Sequence, residues 1–332
     1  MGITIPYKCF NQTPTSSILP AVTRKRLLVT GGLGFIGSYF VRLALESGYH
    51  VINVDKKTYA ARKDLDFEKN DHYEFIHEDI CKLTHLPPEI DYIVNFAAES
   101  HVDNSITANE VFFESNVRGV YNLLELIRAK EKMDRPVLLH ISTDEVYGTY
   151  MDGQATETSL LNPSVPYSAT KAAADQLILA WSFTYDIDYF RCRSCNNYGW
   201  GQYPEKLFAK TVDHLSRGKK MTIHGDGSYA REWLYAEDNC KAILAVIEKG
   251  KKREIYNISS NDEHTVLEVV DMIMKEMGKK TDDCIEFIPN RWGQDRRYSV
   301  GTDKIRALGW KPAMKIQDYV STYIDLYNKS QK

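Results

Sequence analysis

The stretch "LLVTGGLGFIGSYF", Leu27 to Phe40, decides the fold. An apolar, β-rich run leads into Gly31, Gly32, Gly34 and Gly37, and the segment after the turn reads as a helix near 35–47. The glycines satisfy both G-x-x-G-x-x-G and the wider G-x-G-x-x-G, spacings that in isolation often make nothing more than turns. Here they sit between a strand and a helix, so backbone N–H groups and the positive end of the helix dipole are aimed at a pyrophosphate. Asp55 ends the next strand, "HVINVD", at roughly the 20-residue distance where a carboxylate accepts from a ribose 2′-hydroxyl and repels a 2′-phosphate. The expected cofactor is NAD rather than NADP, with Lys56 and Lys57 pulling the other way.

Outward from this stretch the pattern repeats. "RLLVT", "HVINVD", "YEFIH", "DYIVNF", "PVLLHIS" and "IDYFRCRS" are short apolar runs, separated by helical segments near 35–47, 106–130 and 167–185. Near-continuous apolar strands alternating with helices predict a doubly wound, Rossmann-type α/β domain whose parallel sheet is covered on both faces. Past Asn197 the pattern loosens into "YGWGQYPEKLF", helices near 204–217 and 237–249, and short elements such as "KMTIHG" and "EIYNIS". The expected division is an N-terminal extension over 1–24, an NAD-binding domain over 25–195 to which the chain returns near 234–260, and a smaller, mostly substrate-binding domain over 196–332. Ligands of open α/β sheets bind at the carboxyl edge of the strands, which the second part would cover.

Composition removes several functional classes. A formal net charge of −3 argues against a nucleic-acid partner, and no apolar run reaches the length of about 20 residues that crosses a membrane. The opening "MGITIPYKCFNQTPTSSILPAVTR" lacks the apolar core of a signal peptide, and Pro6 stands where a myristoylation signal wants Ser or Thr. Six irregularly spaced cysteines fit reduced thiols and a cytoplasmic location. Cys192 and Cys195 form a C-x-x-C on an apparent strand with no second ligand pair, so they are read as buried thiols and no metal site is expected.

"YSATK" sets Tyr167 and Lys171 one helical turn apart, where the lysine charge and a nicotinamide cation are expected to lower the phenol pKa. A second Y-x-x-x-K, Tyr59 to Lys63, lies in a loop after Asp55 and is given no catalytic role. The Tyr167 copy opens a helix about two dozen residues after a strand bearing Ser142 and Thr143. That strand runs into "ISTDEVYG", where Asp144 and Glu145 stand side by side at the end of a buried segment, a costly place for two carboxylates unless they are used.

With "TGGLGFIG", "VDKKTYA", "FAAESHVDNS", "ISTDEVYG", "PYSATKAAAD", "SCNNYG", "YPEKLF", "REWLYAEDNC" and "GQDRRY" before "LGWKP", residues 26–328 resemble the extended short-chain dehydrogenases/reductases. Within them the likeness is closest to the nucleoside-diphosphate-glucose 4,6-dehydratases. The resemblance implies a lyase acting on dTDP-glucose or UDP-glucose, with NAD recycled inside each turnover. Thr143, Asp144, Glu145, Tyr167 and Lys171 would be catalytic: Tyr167 takes the C4 hydroxyl proton, Glu145 the C5 proton, and Asp144 protonates the departing C6 hydroxyl. The cofactor would be held by Gly31, Gly34, Phe35, Ile36, Gly37, Asp55, Lys56, Thr58, Asp79, Ile80, Ala97, Ala98, Ser100, Ser115, Tyr167, Lys171 and Asn197. The substrate would meet His101, Thr143, Asn196, Lys206, Leu207, Arg231 and Arg291, with His101 and Ser100 beside the nicotinamide.

Many members of the family carry Pro and His where this chain has Trp292 and Gln294, and "CRSCNNYGWGQYPEK" differs around Arg193 and Trp200. Both segments are expected at the nucleotide end, which leaves the base open. Val111, Phe112, Val117, Leu177 and Trp181 are read as core first, while the family likeness implies a homodimer through the two helices near 106–130 and 167–185. A 4-epimerase or decarboxylase on a nucleotide sugar is the competing reading, which the paired acids argue against. A non-catalytic NAD-binding sensor is the remote one.

Overall fold

Seven parallel strands make the central sheet of the computed structural model, which describes residues 24–331. In chain order they are β1 (Arg26–Thr30), β2 (His50–Asp55), β3 (Tyr73–His77), β4 (Tyr92–Asn95), β5 (Val137–Thr143), β6 (Tyr189–Ser194) and, much later, Glu254–Ile258. Three strands intervene, β7 (Asn196–Tyr198), β8 (Met221–His224) and β9 (Ala230–Tyr235), which makes the returning strand β10. The spatial order is β3-β2-β1-β4-β5-β6-β10, so the winding reverses between β1 and β4. That reversal opens a crevice at the carboxyl ends of the strands, where both the glycine turn and the end of β5 arrive.

Burial follows from covering the sheet twice. All seven residues of β5 are buried, whereas the edge strand β3 only partly covers its side chains. Alternate residues of one strand serve opposite faces: Leu27 and Val29 join the core beneath the helices Phe35–Glu46 and Ala236–Lys249, while Leu28 packs with Leu123, Leu124 and Ile178 on the other side. A separate core of Tyr198, Phe208, Val212, Trp233, Val270 and Tyr319 forms around β7 and β9. There, β9 pairs with β7 and with β11 (Glu263–Thr265), and β8 pairs with β12 (Ile285–Ile288). The expected extension over 1–24 lies outside the described residues but for its last one.

The long helix expected near 106–130 is broken. It runs as Val102–Thr107, Asn109–Phe113, a π-helical turn over Glu114–Arg118 and a helix Gly119–Arg128. The wide turn has a cause outside the helix. Asn116 takes the Glu99 N–H at 2.9 Å and donates to the Glu99 carbonyl at 3.0 Å and to Thr170 at 3.0 Å, which ties the helix to the end of β4. Phe112, Leu177 and Trp181 pack inward and Val117 is half-buried, but Val111 is exposed, a correction to its reading as core.

Candidate active site

At the reversal between β1 and β4 lies a cleft of about 350 Å³, within the range of small-molecule sites. Its floor is the glycine turn. Gly31 has φ +73° and sits so close to β4 that a Cβ would lie 2.7 Å from the Ala97 nitrogen; one on Gly37 would lie 2.2 Å from the Gly31 carbonyl. Only bare backbone fits here, and the Phe35–Glu46 helix directs its unpaired first-turn N–H groups into the space above. Asp55 ends β2 with its carboxylate accepting from Leu33 N–H at 3.0 Å and Lys57 N–H at 2.8 Å, which fixes it at the cleft wall. Lys56 turns to Ser115 at 3.1 Å and Asp79 at 3.5 Å. All seventeen residues expected to hold NAD line the cleft.

The residues present fit a dinucleotide. The glycine cradle has no room for side chains, Asp55 stands on the wall at the end of β2, and the Ser142 hydroxyl stands on the wall, buried and without a partner among the described residues. A buried hydroxyl left unpaired is one that a ligand can satisfy.

Thr143, Glu145, Tyr167 and Lys171 converge on the same cleft. Thr143 ends β5 and caps the short helix Asp144–Tyr147, accepting from Glu145 N–H at 3.3 Å and donating to Asp144 Oδ1 at 3.2 Å. Tyr167 and Lys171 come from the first turns of the helix Pro166–Tyr185, with proline at the position where a helix needs no N–H. Asp144 lies just behind the wall, buried, its Oδ2 without a partner among the described residues. Burial foremost, then the charges of Glu145 and Glu232, hold its carboxyl well above the usual carboxylate range. Burial also raises Glu145, but Arg231, Lys206 and Arg291 oppose that rise, so the two neighbouring acids are pushed apart.

Tyr167 corrects an expectation. Burial raises its phenol above the ordinary range and the Glu145 charge adds to this, with a hydrogen bond from Thr143 opposing. Lys171 does not lower it, because its Nζ turns to the Ile141 carbonyl at 2.5 Å and to His140 Nε2 at 3.3 Å; burial brings the amine down to about 8. In these residues alone the tyrosine lacks the positive neighbour that would ionise it.

Of the expected substrate contacts, Thr143, Asn196, Lys206 and Leu207 line the cleft, and Lys206 Nζ reaches across it to the Ser100 carbonyl at 2.5 Å. His101, Arg231 and Arg291 are not on its wall. His101 caps the helix Val102–Thr107 by accepting from Asn104 N–H at 3.3 Å. Arg231 is buried against the Tyr298 ring and donates to the carbonyls of Ala230 and Asp295 at 2.7 Å each. Arg291 pairs with Asp103 at 2.6 Å. Arg193, expected near the nucleotide end, is a core residue paired with Asp175 at 2.9 Å, and Trp200 packs on Tyr323. Cys192 and Cys195 are buried free thiols.

The structure adds residues to which the sequence assigned no role. Tyr59, Glu99, Gln202, Tyr203 and Glu205 line the cleft, and Tyr59 crosses it to bond Glu205 at 3.1 Å while its ring meets Tyr203 edge-on. Tyr298 lies 3.5 Å from Glu145 and donates to Asp295 at 2.8 Å. All of them stand within "VDKKTYA", "FAAESHVDNS", "CRSCNNYGWGQYPEK" or "GQDRRY", so membership of a motif was the available signal.

A reversed parallel sheet with a glycine cradle, a ribose carboxylate and a Thr–Tyr–Lys constellation defines an extended short-chain dehydrogenase/reductase. The family model described as GDP-mannose 4,6 dehydratase matches residues 28–323, and the chain belongs to this family. It is 43% identical to the low-salt glycan biosynthesis protein Agl12 of Haloferax volcanii, over 91% of this chain and 98% of that one. It is 37% identical to dTDP-glucose 4,6-dehydratase 1 of Escherichia coli K12, over 92% and 94% of the two chains. The structure of DesIV, a dTDP-glucose 4,6-dehydratase from Streptomyces venezuelae solved with NAD bound, superposes with a TM-score of 0.86 at 37% identity, covering 92% of this chain and 98% of that one.

Proposed function

We propose that the protein is an NAD-dependent nucleoside-diphosphate-glucose 4,6-dehydratase that converts dTDP-glucose to its 4-keto-6-deoxy product and water. One observation carries the reading: Glu145 stands on the cleft wall with Thr143 and Tyr167, and Asp144 lies buried directly behind it, where burial raises its carboxyl well above the usual range. An epimerase needs one proton acceptor at C4, whereas loss of water across C5 and C6 needs a second base and an acid side by side. The identity of more than a third with dehydratases over nearly the whole chain supports the same reading and the dTDP nucleotide.

NAD, when bound, supplies the hydride acceptor and donor that oxidises C4 and later reduces C6. The residues move protons. Tyr167, hydrogen-bonded by Thr143, receives the proton of the C4 hydroxyl. A 4-ketone acidifies C5–H, and Glu145, whose ionised form is favoured by Arg231, Lys206 and Arg291, removes that proton and returns it to C5 when C6 is reduced. Asp144 donates to the C6 hydroxyl as it leaves. Tyr59 and Glu205 bridge the cleft edge by a hydrogen bond of 3.1 Å.

The same reading includes a homodimer. Val111, Phe113, Tyr121, Phe183 and Tyr185 are exposed on the helices over 109–128 and 166–185, with Phe183 82% exposed, and a second copy is the partner whose matching helices would cover them. Cytoplasmic location is proposed with it, supported by the free thiols of all five described cysteines.

The test is incubation of the purified protein, without added NAD, with C4-deuterated dTDP-glucose and separately with UDP-glucose, followed by mass spectrometry. Loss of one water with deuterium retained at C6 is expected, fastest for dTDP-glucose. Unchanged mass with an inverted C4 would make it an epimerase, and faster turnover of UDP-glucose would reassign the base.

A further inference from the structure

Beneath the cleft, a buried row of hydrogen-bonded side chains runs from β1 to Lys171 and has no place in the proton transfers of the reaction. The Thr30 hydroxyl donates to Asn95 Oδ1 at 2.6 Å, Asn95 Nδ2 meets His140 Nδ1 at 3.0 Å, and His140 Nε2 meets Lys171 Nζ at 3.3 Å. Each link joins neighbouring strands or a strand to the helix over it: Thr30 pairs in register with Asn95, and Asn95 with His140. Thr30 and His140 are wholly buried, Asn95 and Lys171 nearly so. None of the four touches solvent enough to be there for solubility, and apolar side chains of similar volume would fill the same space without demanding partners.

We infer that His140 is a positioning residue for Lys171, holding the amine in place beneath Tyr167 through a hydrogen-bonded row anchored on Asn95 and Thr30. The inference rests on the proposed function and on the place of Lys171 on the cleft wall one helical turn from Tyr167, where the cofactor is expected. An imidazole suits this position because it can face either form of the amine. With the ring proton on Nε2, it donates to a neutral amine while Nδ1 accepts from the Asn95 amide. With the proton on Nδ1, Nε2 accepts from an ammonium, and the Asn95 amide turns over to accept from Nδ1 and donate to Thr30. Both states keep the links from His140 to the amine and to Asn95. Burial first, then the Lys171 and Arg191 charges, keep His140 itself neutral, so it adds no repulsion.

The charged and titratable groups around the amine are known. Tyr167 and Asp175 stand on its own helix, His140 on β5 and Arg191 on β6, while Glu145 and Asp144 act on Tyr167 from the turn after β5. Asp175 favours the ammonium and burial the amine; His140 is the side chain that bonds the nitrogen directly.

His140→Leu and His140→Gln test this. Leucine removes the partner, and glutamine offers an amide near the Nε2 position. In the leucine variant kcat should fall about tenfold, the worth of one buried hydrogen bond, with KM for the nucleotide sugar unchanged. The pH limb of kcat should move by about half a unit or more, and glutamine should recover most of both effects. Independently of turnover, the titration of Lys171, followed through ¹³C-labelled lysine Cε and assigned with Lys171→Arg, should shift its midpoint in the leucine variant. That measurement stands even if the wild type proves inert towards nucleotide sugars, so failure of the proposed function and failure of this inference are separable. Unmoved titration and pH limb in a folded leucine variant would leave His140 as packing and overturn the inference, as would a displacement that glutamine does not recover. Should the leucine variant not fold, the near-isosteric Thr30→Val reads the row from its far end: a displaced Lys171 midpoint supports the inference and an unmoved one overturns it.

Discussion

Asp144→Asn should separate the two halves of the reaction and at the same time stabilise the fold. The side chain is 2% exposed, receives one hydrogen bond from Thr143 at 3.2 Å and has an unpartnered Oδ2. Asparagine keeps the shape and the Thr143 contact but has no proton to give. A general acid contributes roughly 10²–10⁴ in rate, so formation of the dehydrated product should slow by that factor, about 3–5 kcal/mol in barrier. Oxidation at C4 does not use Asp144 and should continue. Stopped-flow absorbance of the reduced nicotinamide, with mass spectrometry of the sugar, should therefore record reduced cofactor without loss of water.

The stability effect has a definite sign. Unfolded aspartate titrates near 3.9, and the native carboxyl titrates well above its ordinary range, so between those values the native state binds more protons. Wild-type stability then falls as pH rises through that window, by up to about 1.4 kcal/mol per pH unit, and levels off above the native value. Asparagine removes that loss. The Tm advantage of the variant should be smallest near pH 4 and grow on raising the pH, at roughly 1–2 °C per kcal/mol for 332 residues. A variant that dehydrates substrate within about threefold of wild type, or a Tm difference independent of pH, would refute the assignment of a buried, protonated acid.

Gly37→Ala places a Cβ 2.2 Å from the Gly31 carbonyl, so the protein should purify without bound NAD and lose about 2 kcal/mol of stability, measured by cofactor content and urea unfolding. Asp55→Asn loses the charge that Leu33 and Lys57 N–H groups orient, and should weaken NAD about tenfold while narrowing the preference over NADP, read by titration calorimetry. Phe183→Asp puts a charge into the apolar face over 166–185 and should shift the sedimenting species from dimer to monomer at unchanged Tm. A Phe183→Asp protein that still sediments as a dimer would move the interface elsewhere.

What was legible in the sequence was what the chain encodes locally. The glycine turn, Asp55 and the Tyr167–Lys171 pair are each set by a few consecutive dihedrals, and each lies on the cleft wall. Charged side chains with long reach were not legible in the same way. Arg231 and Arg291 carry the right charge, yet where a guanidinium points depends on which carbonyl or carboxylate distant segments bring to it, Asp295 for one and Asp103 for the other. The broken helix has the same origin, since Asn116 is pulled to Glu99 by a strand end that periodicity within the helix does not describe.

The Tyr167 result joins these two levels. From spacing alone Lys171 acts on the phenol, but in the fold its nitrogen is turned under the sheet, and burial with the Glu145 charge raises Tyr167 instead. Ionising Tyr167 then requires positive charge arriving from the cleft side, where the Gly31–Gly37 cradle and Asp55 would seat a nicotinamide dinucleotide. On the proposed function, Tyr167 would become a base on ligand binding rather than stand ready. Of the two neighbouring acids, only Glu145 has its rise opposed chiefly by cations, those of Arg231, Lys206 and Arg291. The difference between the two acids is thus a property of the burial and charge already built into the turn after β5, which raise Asp144 with the help of its acidic neighbours and raise Glu145 against the pull of three cations.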